Sequence, residues 1–291
     1  METKNKEDGR VLIAVLAHPD DETFGMGGTL ARYAQEGASV YLICATRGEV
    51  GEMDPKYMKG FKDVSERREA ELRCAAEKLG LKDVFFLGYR DSGMPGSVHN
   101  QHPQSLVQAP VEQVASEVAM YIRQHRPQVV VTFDPIGGYR HPDHIAIHQA
   151  TIRAFELAGV EVTNSELDTL EPFKPNKLYY HTFPRAFLRL ALLALRLIGK
   201  DPRKFGQNKD IDLQSIAEVN FPIHAVISYY KDAHLRDEAS ACHASQGGTN
   251  NSGGLLGWMR RIFGSKDLYM RVIPEPVRGE KKEKDLFASL N

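Results

Sequence analysis

Two short motifs in this sequence combine histidine with carboxylate side chains at close spacing. The first, HPDDE, places His18, Asp20, Asp21 and Glu22 directly after the apolar run VLIAVLA. An imidazole and three carboxylates so close together would repel and desolvate one another in an ordinary turn. A divalent cation would resolve that repulsion, because nitrogen and oxygen donors three positions apart suit zinc. The motif therefore predicts half of a metal site, against the simpler alternative that Asp20 or Asp21 only caps the following helix.

The second motif lies within the stretch TFDPIGGYRHPDHIAIH and again follows an apolar run. It contains His141, Asp143 and His144, with Tyr139 just upstream. His141 and His144 are spaced to share one face of a helical start, and Asp143 could hold one imidazole in its tautomer. Catalytic zinc usually has three protein ligands plus water, so this motif could complete the site that the first begins. For His148 a packing or surface role is favoured.

The elements that would position these motifs alternate between strands and helices. Apolar runs rich in β-branched residues predict strands at Val11–Ala17, Ser39–Ala45, Val84–Leu87, Val129–Phe133 and Lys177–Thr182. Segments of helical period predict helices at Thr23–Gln35, Val64–Leu79, Pro110–Gln124 and Asp143–Glu156. The alternation predicts an α/β fold, a Rossmann-like and mostly parallel sheet with helices on both faces. Both motifs then lie beyond the carboxyl ends of strands, where such sheets bind ligands.

The C-terminal half shows a weaker pattern. We interpret residues 1–157 as a Rossmann-like catalytic core, and 158–291 as a part that completes the same domain, with an apolar helical insertion at 185–206. Ile227–His243 predicts an amphipathic helix, 245–254 a flexible loop, and the charged tail RGEKKEKDLFASLN a poorly ordered end. For the Arg-dotted insertion a packed lid or homo-oligomer interface is favoured over a core helix, and a membrane-surface helix through 185–203 is least favoured.

Composition argues against several kinds of partner. Lys plus Arg number 37 against 38 for Asp plus Glu, so electrostatics give no argument for nucleic acid. The polar N-terminus METKNKEDGR has no signal-peptide core, and the apolar stretch 186–199 is too short to span a bilayer. The three cysteines are widely spaced, which favours free thiols in a reducing compartment. We therefore expect a soluble, cytoplasmic protein.

The pair AHPDDE and HPDH resembles the LmbE-like/PIG-L family of zinc-dependent de-N-acetylases. Further segments similar to that family are ATRGEVG at 45–51, RREAELRCAAEKLG at 67–80, GYRDSGM at 88–94 and ACHASQ at 241–246. The resemblance covers nearly all of 11–246, whereas 183–206 departs from the common pattern. It implies a hydrolase that removes an N-acyl group, first of all acetyl, from an N-acetylglucosamine-type conjugate and releases a primary amine and a carboxylate. Bacterial N-acetylglucosaminide deacetylases and thiol-conjugate amidases are the members it is most similar to.

The same resemblance implies ligands for the metal and contacts for the substrate. The implied metal ligands are His18, Asp21 and His144. Zn²⁺ is the expected ion, and Fe²⁺ is also compatible with two histidines and one aspartate. The residues that it directs toward the substrate are Glu49, Arg67, Arg68 and Asp91. The acyl acceptor stays open among N-acetylglucosaminyl-inositol, N-acetylglucosaminyl-malate, a thiol-conjugate amide, an oligosaccharide and a secondary metabolite.

Catalytic roles follow from the resemblance for four residues of the two motifs. It implies Asp20 as the general base and a protonated His141 as the group that stabilises the tetrahedral intermediate. Tyr139 would assist the oxyanion or the substrate, and Asp143 would orient His141. Either Asp20 or His141 could protonate the leaving amine, and both assignments stay open.

Two other functions are weighed against the hydrolase. A nucleotide-binding Rossmann module would need a glycine-rich turn after the first strand, but Gly25, Gly27 and Gly28 come too late for it. A metal-dependent phosphoesterase would more often show a second set of metal-binding carboxylates. The residues favour the amide hydrolase over both.

Overall fold

The centre of the molecule is a seven-stranded sheet. The computed structural model describes residues 9–161, 166–182, 192–193, 195–197, 199, 201–203, 213–249 and 264–290. The strands of the sheet are β1 (Val11–Leu16), β2 (Ser39–Thr46), β3 (Asp83–Tyr89), β4 (Val129–Phe133), β5 (Lys177–Thr182), β6 (Ala225–Ser228) and β7 (Lys266–Ile273). They lie in the order β3-β2-β1-β4-β5-β7-β6. The pairs among β1 to β5 are parallel, and β7 pairs antiparallel with both β5 and β6. The prediction of a mostly parallel sheet is confirmed.

Helices cover both faces of this sheet. They are α1 (Asp21–Gln35), α2 (Val64–Leu79), α3 (Val111–His125), α4 (Gly137–Arg140), α5 (Pro142–Ala158), α6 (Leu213–Glu218) and α7 (Ala233–Cys242). Helix α3 packs on α5, while α7 packs on α1 and α2. The predicted α/β fold class is therefore confirmed.

The central strands bring the two histidine motifs together. All side chains of β4, and all of β1 after Val11, are buried, which explains their uninterrupted apolar sequence. The two strands are parallel neighbours, with Leu12 opposite Val129 and Ala14 opposite Val131. Because their carboxyl ends lie at the same edge, the turns that follow them meet beyond that edge.

The C-terminal part differs from the sequence prediction. The prediction of a helix over Ile227–His243 is wrong for its first residues. Ala225–Ser228 forms strand β6, and α7 begins only at Ala233. The sequence also gave no prediction of β7. Its inward-facing positions include Asp267, which accepts hydrogen bonds from Thr29, and Arg271, which is paired with a glutamate. Charged residues at buried positions hid the alternation typical of a strand.

Residues 278–290 of the charged tail belong to the described structure, and the prediction of a poorly ordered end is wrong for them. Leu286 is fully buried and Phe287 nearly so, and both join the core beside α1. The Tyr33 hydroxyl accepts the backbone N–H of Leu286 at 2.6 Å and donates to the Asp285 carboxylate at 2.9 Å. The tail therefore packs against α1, the helix that carries the first motif. Burial of Leu286 and Phe287 stabilises this packing, although lysines precede them in the sequence.

Two of the three cysteines form a disulfide, which corrects the expectation of free thiols. Cys74 on α2 and Cys242 on α7 have Cα atoms 5.8 Å apart and are bonded to each other, and Cys44 is free and buried. The pairing depends on the packing of α7 against α2, which spacing in the sequence did not reveal.

Most of the insertion at 185–206 and residues 250–254 of the predicted loop lie outside the described residues. Among the described residues no helix is long and apolar enough to cross a membrane.

We expect Leu286→Ala to lower the free energy of unfolding by about 2–5 kcal/mol, because it leaves a cavity beside α1. Urea denaturation followed by circular dichroism measures this. The matched control is Val277→Ala on the 73% exposed side chain of Val277, which should stay within about 0.5 kcal/mol of the parent. Equal stability of the two variants would mean that the tail does not contribute to the core.

Candidate metal-dependent active site

Two turns at the carboxyl edge of the sheet build the site. The first leaves β1 and enters α1 through His18 to Asp21, and the second leaves β4 and enters α5 through His141 to His144. Gly137 in the second turn has a φ of +61°, and a Cβ there would lie 2.7 Å from Cβ of His144. Glycine is required at this position, since any side chain would push His144 away from the first turn.

The side chains of His18, His144 and Asp21 converge on one point. Nδ1 of His18 lies 3.2 Å from Nε2 of His144. The Asp21 carboxylate approaches both rings, with Oδ1 3.3 Å from Nε2 of His144 and Oδ2 3.5 Å from Nδ1 of His18. Both histidines are almost completely buried. The structure thus gathers the three side chains that the family resemblance implied as metal ligands.

Hydrogen bonds orient the two rings so that these nitrogens are available as ligands. Nε2 of His18 lies 3.0 Å from the Asp143 carboxylate, and Nδ1 of His144 lies 3.2 Å from the carbonyl of Gly137. A ring nitrogen beside such an acceptor carries the proton, which leaves the other nitrogen with its lone pair. In the neutral imidazoles, Nδ1 of His18 and Nε2 of His144 are then the nitrogens left to bind a metal beside Asp21. This two-nitrogen, one-carboxylate donor set fits a divalent transition metal.

Negative charge is in excess around this point. Asp20, Asp21, Asp91 and Asp143 all lie in or beside the cluster, and Asp143 is completely buried with Oδ1 accepting no hydrogen bond from the described residues. Burial disfavours a charged His18, yet Asp91, Asp143 and Asp21 outweigh it and raise the pKa of this imidazole well above its usual value. The cluster therefore attracts positive charge, as a cation site must.

Asp20 occupies a strained position beside the ligands. Its φ is +121°, which is rare for a residue other than glycine. Its Oδ2 accepts a hydrogen bond from the guanidinium of Arg68 at 3.1 Å. Burial raises the pKa of Asp20 to about 6, with Arg68 opposing the shift and Asp21 adding to it. A carboxylate with that pKa is suited to accept a proton near neutral pH.

His141 lies beside His18, His144 and Tyr139, and a nitrogen of its ring lies within 4.8 Å of nitrogens of both other histidines. Its ring centroid is 4.5 Å from that of His18, and its Nδ1 accepts the backbone N–H of Asp143 at 3.2 Å. Burial, and the like charge of His18 and His144, lower its pKa well below the usual value. A neutral His141 with Nδ1 as acceptor carries its proton on Nε2. In this form it can donate a hydrogen bond from Nε2, while the protonated His141 that the resemblance implied stays a prediction.

The carboxylate of Asp143 contacts His18 and the backbone N–H of Ser92, at 3.0 and 2.9 Å. Asp143 contacts His141 only through its backbone N–H, which donates to Nδ1 of that histidine. The Asp143 carboxylate is thus placed to orient the metal ligand His18, and its backbone lies in the first turn of α5.

Tyr139 packs edge-on against His144, with 4.9 Å between the ring centroids. Burial raises the pKa of the Tyr139 hydroxyl.

The four residues that the family resemblance directs toward the substrate are buried to different extents. Arg68 is buried and donates to the carbonyls of Pro19 and Gly48 as well as to Asp20. Asp91 is buried with Oδ1 3.5 Å from Nε2 of His18, and its N–H donates to Glu49. Arg67 and Glu49 are only partly buried. The last two are therefore the more accessible pair.

A buried histidine from the far end of the chain was missed by the residue-based reasoning. His243 follows α7, and its Nε2 lies 2.7 Å from Oε1 of Glu22 in the first motif. The segment ACHASQ was noticed only for its family resemblance, since a single histidine at a helix end gives no signal of its own.

Comparison with known proteins gives a consistent result. The family model described as PIG-L, GlcNAc-PI de-N-acetylase, matches residues 13–155. The chain is 35% identical over 97% of its length, and 98% of the relative's, to a 1D-myo-inositol 2-acetamido-2-deoxy-α-D-glucopyranoside deacetylase of Geodermatophilus obscurus. A protein of the same name from Thermobifida fusca is 42% identical over 67% of this chain and 69% of its own.

A similar fold occurs in the 4-carboxy-2-hydroxymuconate hydratase of Pseudomonas putida. The TM-score is 0.59 at 17% sequence identity, with 93% of this chain and 99% of the hydratase covered. At that identity the likeness concerns the fold alone, which serves more than one reaction.

We expect His144→Ala to lose bound metal, because it removes one of the three converging donors. Purified protein loaded with zinc and desalted should carry about one ion per chain in the parent and far less in the variant, as measured by inductively coupled plasma mass spectrometry. The control His99→Ala removes a partly exposed imidazole outside the cluster and should keep its metal. Equal metal content in the two variants would contradict this ligand assignment.

Proposed function

The chain belongs to the PIG-L family of GlcNAc-PI de-N-acetylases, and we propose that it removes the acetyl group from N-acetylglucosamine linked to inositol, with zinc as its metal. The reaction hydrolyses a non-peptide carbon–nitrogen bond and releases glucosaminyl-inositol and acetate. The inositol acceptor is supported by the relative from Geodermatophilus obscurus, which matches 98% of its own length to this chain. Fe²⁺ would fit the same donors.

The observation that carries the proposal is the convergence of His18, His144 and Asp21 beside the carboxylate of Asp20. Three protein donors leave room for a water and a substrate oxygen, as in catalytic zinc sites. A bound zinc ion would supply a Lewis acid that lowers the pKa of a water and polarises the amide carbonyl. Asp20 is next to the ligand Asp21 in sequence, yet its own carboxylate faces Arg68.

We assign the first proton transfer to Asp20. With its pKa raised to about 6 by burial, this carboxylate is ionised at neutral pH and can accept a proton from water. Arg68 holds the carboxylate in place through the hydrogen bond to Oδ2. A residue so close to the metal ligands can serve the reaction without binding the metal.

We assign stabilisation of the tetrahedral intermediate to His141. Its Nε2–H would donate to the former carbonyl oxygen, with Tyr139 beside it as a further donor. The leaving nitrogen then takes a proton from Asp20 or from His141. Asp91, Glu49 and Arg67 border the same site and are our candidates for contacts with the sugar hydroxyls.

The alternatives considered for the sequence are not favoured. The relatives reported above are named as deacetylases rather than nucleotide-binding proteins. In the part of the chain that the structure describes, two groups of side chains have donor atoms within 4.8 Å of one another, and both lie at this one site: His18, His141 and His144, and His18, Asp91, His141 and Asp143. Asp21, which contacts His18 and His144, is our proposed third ligand in place of His141. The second, separate carboxylate set expected of a two-metal phosphoesterase is not found among the described residues.

The test is release of primary amine, detected with fluorescamine, from N-acetylglucosaminyl-inositol and a panel of other N-acetylglucosaminides in the presence of zinc. We expect the inositol conjugate to be the best substrate. Asp20→Asn should lower kcat about a hundredfold to ten-thousandfold, the usual loss for a general base, while its zinc content stays at the parental value.

Two results would contradict the proposal. A parent protein with a full complement of zinc that releases no amine from any member of the panel would exclude the activity. Full activity of Asp20→Asn would exclude Asp20 as the base while leaving the reaction itself intact.

A further inference from the structure

A buried ion pair joins the far end of α7 to the first catalytic turn. His243 and Glu22 are both completely buried, 221 positions apart in the sequence, with Nε2 of His243 2.7 Å from Oε1 of Glu22. The hydroxyl of Thr23 donates to the same oxygen at 2.5 Å. Burial disfavours a charged His243, but the Glu22 carboxylate outweighs it and raises the pKa of the imidazole. Neither residue has a place in the reaction described above.

The second oxygen of Glu22 leads directly to Asp20. Oε2 accepts the backbone N–H of Asp20 at 3.0 Å. Asp20 has a φ of +121°, and such a conformation persists only where the surroundings hold it. Glu22 holds the backbone of this residue, whereas Arg68 holds its carboxylate.

His243 itself is held from the other side. Helix α7 is bonded to α2 through Cys74 and Cys242, directly before His243. Two residues after it, the N–H and hydroxyl of Ser245 donate to the Glu71 carboxylate of α2 at 3.0 and 2.6 Å. The imidazole therefore reaches Glu22 from a rigid support, and α2 also carries Arg68.

We propose that His243, acting through Glu22, is a positioning residue for the proton-accepting carboxylate of Asp20. This inference rests on the proposed function. By donating to Oε1, His243 orients Glu22 so that Oε2 accepts the Asp20 N–H. Loss of that donor leaves Oε1 of Glu22 held by the Thr23 hydroxyl alone, so that Glu22 is less firmly oriented and the strained turn can relax. The carboxylate of Asp20 then moves relative to the water it must deprotonate.

The test compares three variants with the parent. His243→Leu removes the donor, and His243→Gln keeps an N–H at the same reach. Ser245→Ala removes one hydroxyl from the same segment, while the disulfide and the Ser245 N–H bond to Glu71 still hold His243 in place. We expect His243→Leu to lower kcat on N-acetylglucosaminyl-inositol about tenfold to a hundredfold, as for a misplaced catalytic group. KM should stay within about twofold of the parent, and zinc content should not change. His243→Gln should recover most of kcat, and Ser245→Ala should keep it.

A second measurement needs neither substrate nor metal. Hydrogen–deuterium exchange of the metal-free protein, followed on peptides covering 17–24, reports the hydrogen bond of the Asp20 amide. Exchange should be faster in His243→Leu and parental in His243→Gln and Ser245→Ala. If His243→Leu does not fold, His243→Asn replaces it, since its shorter amide falls short of Glu22.

Several outcomes would overturn the positioning role. These are parental exchange in His243→Leu, a kcat no lower than that of Ser245→Ala, a loss of activity that follows loss of zinc, and failure of His243→Gln to restore kcat. An inactive parent protein would instead count against the proposed function, and the exchange rates would then decide by themselves whether His243 holds the Asp20 turn.

Discussion

The crowding of carboxylates at the carboxyl edge of the sheet is the constraint on which the rest of the structure depends. Asp20, Asp21, Asp91 and Asp143 lie around His18, where burial makes uncompensated charge very costly. Such a cluster is stable only with positive charge at its centre. The imidazole nitrogens gathered beside Asp21 indicate that a metal ion provides it, and Arg68 pairs with the carboxylate of Asp20.

The fold meets this constraint by assembling the site from distant parts of the chain. Parallel pairing of β1 and β4 brings the two histidine turns together. Helix α2 then brings Arg68 to Asp20, and a glycine at 48 allows it, since a Cβ there would lie 2.0 Å from a guanidinium nitrogen. From the C-terminal part, α7 brings His243 to Glu22. The antiparallel strands β6 and β7 support α1, through Asp267 and Thr29.

The parallel part of the sheet was predictable because its strands are covered on both faces. β1 and β4 must be apolar throughout, and that pattern is visible in any window of the sequence. β7 gave no such signal, since its inward-facing residues include the charged Asp267 and Arg271. Asp267 is satisfied by Thr29, 238 positions away, and Arg271 by Glu283, 12 positions further along the chain. The prediction for the C-terminal tail was wrong for the opposite reason. Its run of lysines indicated an exposed segment, but Leu286 and Phe287, which follow the lysines, are buried.

The sequence alone determined which chemistry is available here. The residue types and spacing of the two histidine motifs indicated a metal site, since donor atoms are properties of the residues themselves, and the family resemblance implied His18, Asp21 and His144 as its ligands. Only the tertiary structure decided which nitrogen of each ring is turned toward Asp21, that burial lowers the pKa of His141, and that Arg68 and Glu22, with His243 behind it, contact the Asp20 turn. Those outcomes depend on hydrogen bonds and burial between residues far apart in the chain, which exist only once the helices have packed on the sheet.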